Sequence, residues 1–327
     1  MSDLHSSISW RRPVAEAAVL AALAALPLVS QDYLLLLTQV AVLALFTLSL
    51  ELLVGQAGIL SLGHAAFFGI GAYAAAFLAL AGWEEPISGL LIAGGIAGLA
   101  GLAMAPLVLR ASGLTQLMVT LCLGLMLHEA ASRGRDWTGG DDGLSGFLNS
   151  PVLGLFEFDL FGVTGYLYAL AVLGICFAAF TLMRAAPFGT ALRGIRQNPV
   201  RMAALGTPVG ARLAQAYALS AAMAGLAGAL MAETTQSVAL EALSFQRSAE
   251  VLIVLILGGV GSRYGALIGA AVYVLARDWL SALSPEYWLG WLGLLMMAVV
   301  LVAPRGIAGL LARVRLPRAR AKTEDRA

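Results

Sequence analysis

Long apolar runs broken by short charged connections fill most of the chain. A bilayer-spanning helix needs roughly 20 apolar residues, and runs of this kind fall near 14–30, 33–54, 64–82, 87–109, 113–131, 162–183, 213–233, 247–262, 264–283 and 286–303. Backbone polar groups in a bilayer must be satisfied within helices or a closed barrel. The runs are continuous and do not alternate with a period of two, which argues against a barrel. The pattern therefore predicts an all-α, polytopic membrane helix bundle of about ten spans. The run at 14–30 follows Arg11 and Arg12, and no small-residue cleavage site leads from it into a soluble domain. It is read as a retained first helix, not a signal peptide. The GSRYG turn at 261–265 is so tight that one of the two spans it joins is expected to be short or broken.

The connections set the orientation. Residues 184–212 carry Arg184, Arg193, Arg196, Arg201 and Arg212 with no acidic residue. The segment after Pro304 carries Arg305, Arg313, Arg315, Arg318, Arg320, Lys322 and Arg326 against Glu324 and Asp325. The 133–161 connection instead sets Arg133 and Arg135 against Asp136, Asp141, Asp142, Glu157 and Asp159. Positive charge favours the cytoplasmic side, so both termini and the 184–212 loop are expected there, with 133–161 outside. The chain divides into a cytoplasmic segment 1–13, a transmembrane domain 14–303 and a basic cytoplasmic tail 304–327.

Composition narrows the functions available. Hydrophobic residues make up 60% of the 327 and charged residues 12%, about half the usual charged share of a soluble domain. Cys122 and Cys176 lie in apolar runs without a CxxC partner or His cluster, so neither a disulfide framework nor a metal site is expected. No P-loop, dinucleotide fingerprint, HExxH, GxSxG or paired intramembrane Asp occurs. Nothing points to a catalytic residue, a cofactor or nucleic acid. Energy from ATP would have to come through another chain.

One stretch stands apart. Residues 55–73, GQAGILSLGHAAFFGIGAY, concentrate glycine and polar side chains inside an apolar region. Gly55, Gly58 and Gly63 around Gln56, Ser61 and His64 predict a broken or re-entrant segment near a transport pathway, since non-helical backbone at membrane depth is tolerated where it is buried or lines a wet cavity. Ala65, Ala66, Gly69, Gly71 and Ala72 then build a small-residue face for close helix contact. His64 has two readings: it holds the break together by bonding a neighbouring carbonyl, or it lines the pathway. Glu51 lies one turn before.

The 184–212 loop is ordered in pattern. Leu192 and Ile195 fall at helical spacing beside Arg193 and Arg196, Pro199 interrupts, and VRMAALG ends in Gly206, a candidate helix C-cap. Three readings fit: a basic topology anchor, short helices resting on anionic lipid, or helices inserted into a groove of a partner protein.

Phe188, Gly189, Ala191, Leu192, Arg193, Ile195, Arg196, Asn198, Ala203, Ala204, Leu205 and Gly206 together resemble the cytoplasmic coupling motif of ABC importer permeases for branched-chain amino acids. The stretch 55–76 resembles a signature of the same family, as do AGLAGAL at 224–230, VLIVLILGGVGSRYGALIGAAV at 251–272 and VAPRGIAGLL at 302–311. The TGGDDGL stretch at 138–144 is similar to that of its longer, LivM-type permease. The resemblance implies two cytoplasmic ATPase subunits docked through coupling loops, a second related permease and an extracytoplasmic substrate-binding protein. It also implies branched-chain amino acids as cargo, with urea or short amides as rivals. Pro199 stands where the family often has an acidic residue, which shifts expected docking toward shape and arginines.

Other candidates have paired readings. Asp141 and Asp142 are a solvated turn or a contact for the binding protein or a substrate ammonium. Glu233 and Glu250 are costly in a span unless they face a cavity or a cation, and Glu250 beside VLIVLIL is expected to face protein. The rival from another class is an ion-gradient-driven secondary transporter, for which Gly-rich discontinuous helices near 55–71 and 258–269 are the pointer.

Overall fold

The computed structural model describes residues 33–314 apart from 84, 148–149, 152–161 and 304–305, together with residues 23, 25 and 27. The predicted segment 1–13, nearly all of the predicted span 14–30 and the tail from 315 onward lie outside the described residues. The rest is helical, with α1 Leu34–Glu51, α2 Ala65–Leu80, α3 Pro86–Val108, α4 Leu114–Arg133, the single turn α5 Arg135–Thr138, α6 Val163–Ala185, α7 Pro187–Gln197, α8 Pro199–Ala204, α9 Val209–Thr235, α10 Phe245–Gly258, α11 Gly265–Leu283, α12 Trp288–Val302 and α13 Gly306–Val314.

Among the described residues, six helical stretches are long and apolar enough to cross a bilayer: Leu34–Ala57, Pro86–Val108, Leu114–Arg133, Val163–Ala185, Val209–Thr235 and Gly265–Leu283. Shorter apolar helices, Ala65–Leu80 and Trp288–Val299, add to them. The chain is an all-α, multi-pass membrane protein. Three of the expected spans are shorter than the apolar runs suggested, the run at 286–303 giving a helix of 15 residues. The run at 64–82 yields a helix of 16 residues and the run at 247–262 one of 14. At about 1.5 Å per residue none of them covers a hydrocarbon core of about 30 Å. Helices α2 and α10 are each entered through chain that is not α-helical, 58–64 before α2 and 236–244 before α10.

Helix α1 is the axis of the bundle. It is apolar on all sides, as a helix enclosed by others must be, and Ala41 through Glu51 are buried without interruption. Helix α9 packs against α3, α2 and α1. Small residues make this approach possible. A Cβ on Gly228 would strike the Phe68 carbonyl, one on Gly71 would strike the Gly225 backbone, and one on Gly225 would strike Ala97. Lipid tails supply no hydrophobic drive between helices, so close backbone contact through small residues carries much of the association. Helices α4 and α12 expose broad apolar faces, including Leu114, Met118, Met126, Leu294 and Met297.

The one sheet pairing among the described residues is a two-residue antiparallel bridge. Strand β1 (Leu144–Ser145) meets β2 (Ser237–Val238), with Leu144 opposite Val238. It fastens the 139–147 connection to the link between α9 and α10.

Gly228→Ala is expected to lower the thermal midpoint of the detergent-solubilised protein by several degrees, because its methyl meets backbone and overpacking costs about 1–3 kcal/mol. Gly95→Ala, where no heavy atom lies within 4 Å, is expected to leave the midpoint unchanged or raise it. Thermal unfolding followed by size exclusion checks both.

Candidate functional site

The last turns of α1 do not close as an α-helix. Residues Leu52–Ala57 form a π-helical segment, Gly58 turns into the left-handed region at φ +76°, and the chain runs irregularly to His64 before α2 begins. The sequence explains the place. Gly55 leaves room for the Glu51 side chain, onto which a Cβ there would collapse, and Gly58 adopts a conformation that a side chain disfavours. A wide π turn is a common form for helices at functional sites.

Breaking a helix at this depth frees backbone groups, and side chains from distant helices meet them. Thr120 of α4 accepts a bond from Leu62 N at 3.2 Å, and Ser248 of α10 accepts one from Ala65 N at 2.9 Å. Ser220 of α9 donates to the Ser49 carbonyl at 2.6 Å. The fully buried His64 places Nε2 2.8 Å from Ser49 Oγ and stacks on Phe46 with ring centroids 5.6 Å apart. Its contacts are with side chains; neither Nε2 nor Nδ1 bonds a neighbouring carbonyl. Gly63 packs on Gly124 and the Thr120 carbonyl, and Ser61 is buried in the same stretch.

The opposite face of the break meets the 184–212 loop. Arg196 donates from Nη1 to the Gly55 carbonyl. Arg193 Nη1 donates to Gln56 Oε1 at 3.3 Å and to the Arg184 carbonyl at 2.9 Å. Gln56 also lies 3.5 Å from Glu51 Oε1, and Glu51 Oε2 accepts from Gly261 N at 3.0 Å. Arg184 Nη2 donates to the carbonyl of that same Gly261 at 3.0 Å. The α1 break, the basic loop and the GSRYG turn are thus one polar network. A Cβ on Gly58 would press on the Arg196 stem at 2.7 Å, so glycine is required there by space as well as by backbone angle.

The loop is two helices joined at Asn198. Leu192 and Ile195 of α7 are buried, Gly189 packs under the Met183 and Arg184 carbonyls, Phe188 lies beneath Arg212, and Ala191 is half-buried. Asn198 caps α8, its Oδ1 accepting from Arg201 N at 2.9 Å, and Pro199 occupies the first helical position. Proline is favoured there because that N–H has no helical partner, so the interruption expected at Pro199 is a clean helix start. Gly206, at φ +82°, ends the motif. Ala203 and Ala204 are exposed, and Val200 and Leu205 are 78% and 71% exposed, forming an apolar tip that points away from the bundle.

The remaining candidates lie elsewhere. Glu250 faces protein, bonded at 2.8 Å by Arg247 Nη1 with Arg277 Nη1 at 3.8 Å. Asp141 and Asp142 fall in a 3-10 turn, Gly140–Asp142, framed by positive-φ glycines, and Asp142 is exposed. Asp142 does not join the network at the break. Sequence reasoning noted Glu51 but did not place it at the site, and it read Arg184 as a loop charge and Gly261 as part of a tight turn without linking either to the break. The one signal for Glu51 was a carboxylate inside a span.

Residues 33–300 match the family described as branched-chain amino acid transport system / permease component. The chain is 31% identical over 288 residues to the high-affinity branched-chain amino acid transport system permease protein LivM of Salmonella typhimurium, an alignment covering 80% of this chain and 66% of the relative. LivM of Escherichia coli is also 31% identical, over 287 residues and the same shares. A probable branched-chain amino acid transport permease protein LivH of Methanocaldococcus jannaschii is 28% identical over 237 residues, 68% of this chain and 73% of that protein. The chain thus spans 66% of the length of the LivM relatives. No solved structure matches it. With the family match running through nearly all the described helices, the chain belongs to the permease family of branched-chain amino acid transport systems.

Proposed function

We propose that this chain is a membrane permease subunit of an ATP-binding-cassette importer for branched-chain amino acids. In this reading it has about ten spans with both termini and the 184–212 loop in the cytoplasm. It pairs with a second related permease, rests on two ATPase subunits, sits in membrane lipid and receives substrate from an extracytoplasmic binding protein. The family supports the class. The observation that carries the mechanism is the grip of Arg193 and Arg196 on Gln56 and Gly55.

The loop has two faces with separate tasks. The tip of α8, with Val200 and Leu205, enters a cleft of the ATPase. The inner face of α7 transmits what the tip receives. Closure of the ATPases on ATP displaces the tip, and the arginines carry that displacement to the π segment of α1. From there Glu51 passes it to Gly261 and so to the junction of α10 and α11. The break gives the movement somewhere to go, since the left-handed Gly58 lets α1 and α2 shift against each other.

Magnitudes support the role. Hydrogen bonds to charged groups contribute about 1.5–3 kcal/mol each. Two such ties together hold by about 3–6 kcal/mol, so a displacement of the loop is carried to the break before they part. A single neutral contact would slip before the helices moved.

Changing Val200 and Leu205 together to Asp is expected to abolish co-purification of the ATPase in detergent. Arg193→Gln with Arg196→Gln is expected to keep the ATPase bound while ATP-driven leucine uptake in liposomes falls at least tenfold. If the isolated chain moves leucine on an ion gradient with no ATPase, the reading fails. In a separate measurement, Arg196→Ala is expected to speed amide hydrogen exchange across 52–58 by roughly tenfold or more, as loss of a charge-assisted bond allows local opening. Exchange in α9 is expected to stay as in the parent.

A further inference from the structure

The charged cluster around Glu250 opens into a cavity of about 390 Å³ beside the first three turns of α1, at the end remote from the 184–212 loop. Its volume lies within the ~300–1,000 Å³ typical of small-molecule sites. The lining has an apolar part and a charged part, alongside the neutral polar Thr38, Gln39, Thr234 and Thr235. The apolar part has Val42, Met231 and a floor formed by Phe46 and Phe68, whose ring centroids stand 4.5 Å apart. The charged part carries Arg247, Glu250 and Arg277.

The charges there do not balance within the cavity. Among the described lining residues Glu250 is the one carboxylate, and it is taken by Arg247 at 2.8 Å. Arg277 stands 3.8 Å from Glu250, beyond hydrogen-bond length, and gives one 2.7 Å bond to the neutral Gln39. Glu241, 3.8 Å from Arg247, is largely exposed. The Nε of Arg247 is buried with no partner. A cation in excess inside a protein is costly until an anion offsets it, and a guanidinium suits a carboxylate because it presents paired donors. A ligand for this wall has an acid group for Arg277 and a cationic group for Glu250 within a few ångströms of each other. A ligand for the floor has a compact apolar body.

We propose that this cavity is a binding station for a free α-amino acid with a small apolar side chain, its carboxylate on Arg277 and Arg247, its ammonium against Glu250 and its side chain on Phe46 and Phe68. The proposal rests on the transport reading above and gives it a place in this chain. The floor also reaches the break, because Phe46 stacks on His64 and His64 meets Ser49. An occupant therefore touches the element that the loop grips from the other side. A phosphatidylethanolamine headgroup shares the ligand chemistry of an ammonium near an acid, and the test separates the two.

The test is equilibrium binding of tritiated L-leucine to the full chain assembled with its partner subunits, in nanodiscs of phosphatidylcholine, alongside ATP-driven uptake with the binding protein. Glu250→Gln and Arg277→Gln are each expected to raise Kd at least tenfold, and Arg277→Lys to recover part of that loss. Val274→Phe, which fills the cavity from an apolar wall, is expected to weaken binding without altering any charge. 4-Methylpentanoate, which lacks the ammonium, is expected to bind more weakly than leucine and to gain affinity in Glu250→Gln, where a carboxylate that repels its own is gone. Unchanged leucine affinity in variants that elute as the parent does, with uptake intact, overturns the station and leaves the transport reading standing. Loss of leucine binding on adding phosphatidylethanolamine assigns the cavity to lipid and also overturns it. A parent complex that neither binds nor imports leucine overturns both.

Discussion

A helix broken at membrane depth must have its freed backbone groups satisfied by protein, because the bilayer core offers no water to do it. In this chain the groups around 49–65 draw Thr120 from α4, Ser220 from α9, Ser248 from α10 and Arg196 from α7. Each donor or acceptor lies on a different element, so the bundle converges on the break. Its position fixes where α2 can start, how α10 can enter and which way α7 must face. An element held by so many partners has few arrangements, and a shift in one partner is felt by the others.

Glycine makes that convergence possible in two ways. At Gly58 it supplies a left-handed turn and space for the Arg196 stem. At Gly71, Gly225 and Gly228 it brings α2 and α9 to backbone contact, so the short helix after the break is clasped along its length. The break is mobile in design only at its own residues. The helices beside it are close-packed, and a packed interface transmits displacement where a loose one would absorb it.

Much of the helical architecture was legible in the apolar runs, and the break was legible because Gly55, Gly58 and Gly63 are poor choices for a helix interior. Gly206 was legible as a helix end for the same reason. The direction of Arg193 and Arg196 was not. An amphipathic α7 with Leu192 and Ile195 on one side leaves its arginines free to meet water, lipid headgroups, a partner or the chain's own break, and only the fold decides. In the proposed reading docking passes from the arginines to the apolar tip at Val200 and Leu205, which the fold leaves exposed. Pro199 read as a disruption because an X-Pro pair disfavours helix before it, yet Asn198 takes the cap and the same constraint starts α8. The link between Glu51 and Gly261 joins residues 210 positions apart, a separation that no local pattern can express. The β1–β2 bridge is too short to leave a periodic trace.

The central claim is that the loop and the break move as one body. The direct measurement is leucine uptake by the reconstituted importer carrying Gln56→Cys and Arg193→Cys, with Cys122 and Cys176 replaced by Ser, before and after bridging by a short bifunctional thiol reagent. The account predicts weak uptake before bridging, because the bond between the two side chains is gone, and recovery when a covalent link replaces it. Uptake at the parent level before bridging, or abolished by it, would mean that the loop must slide along the break, and would contradict the account.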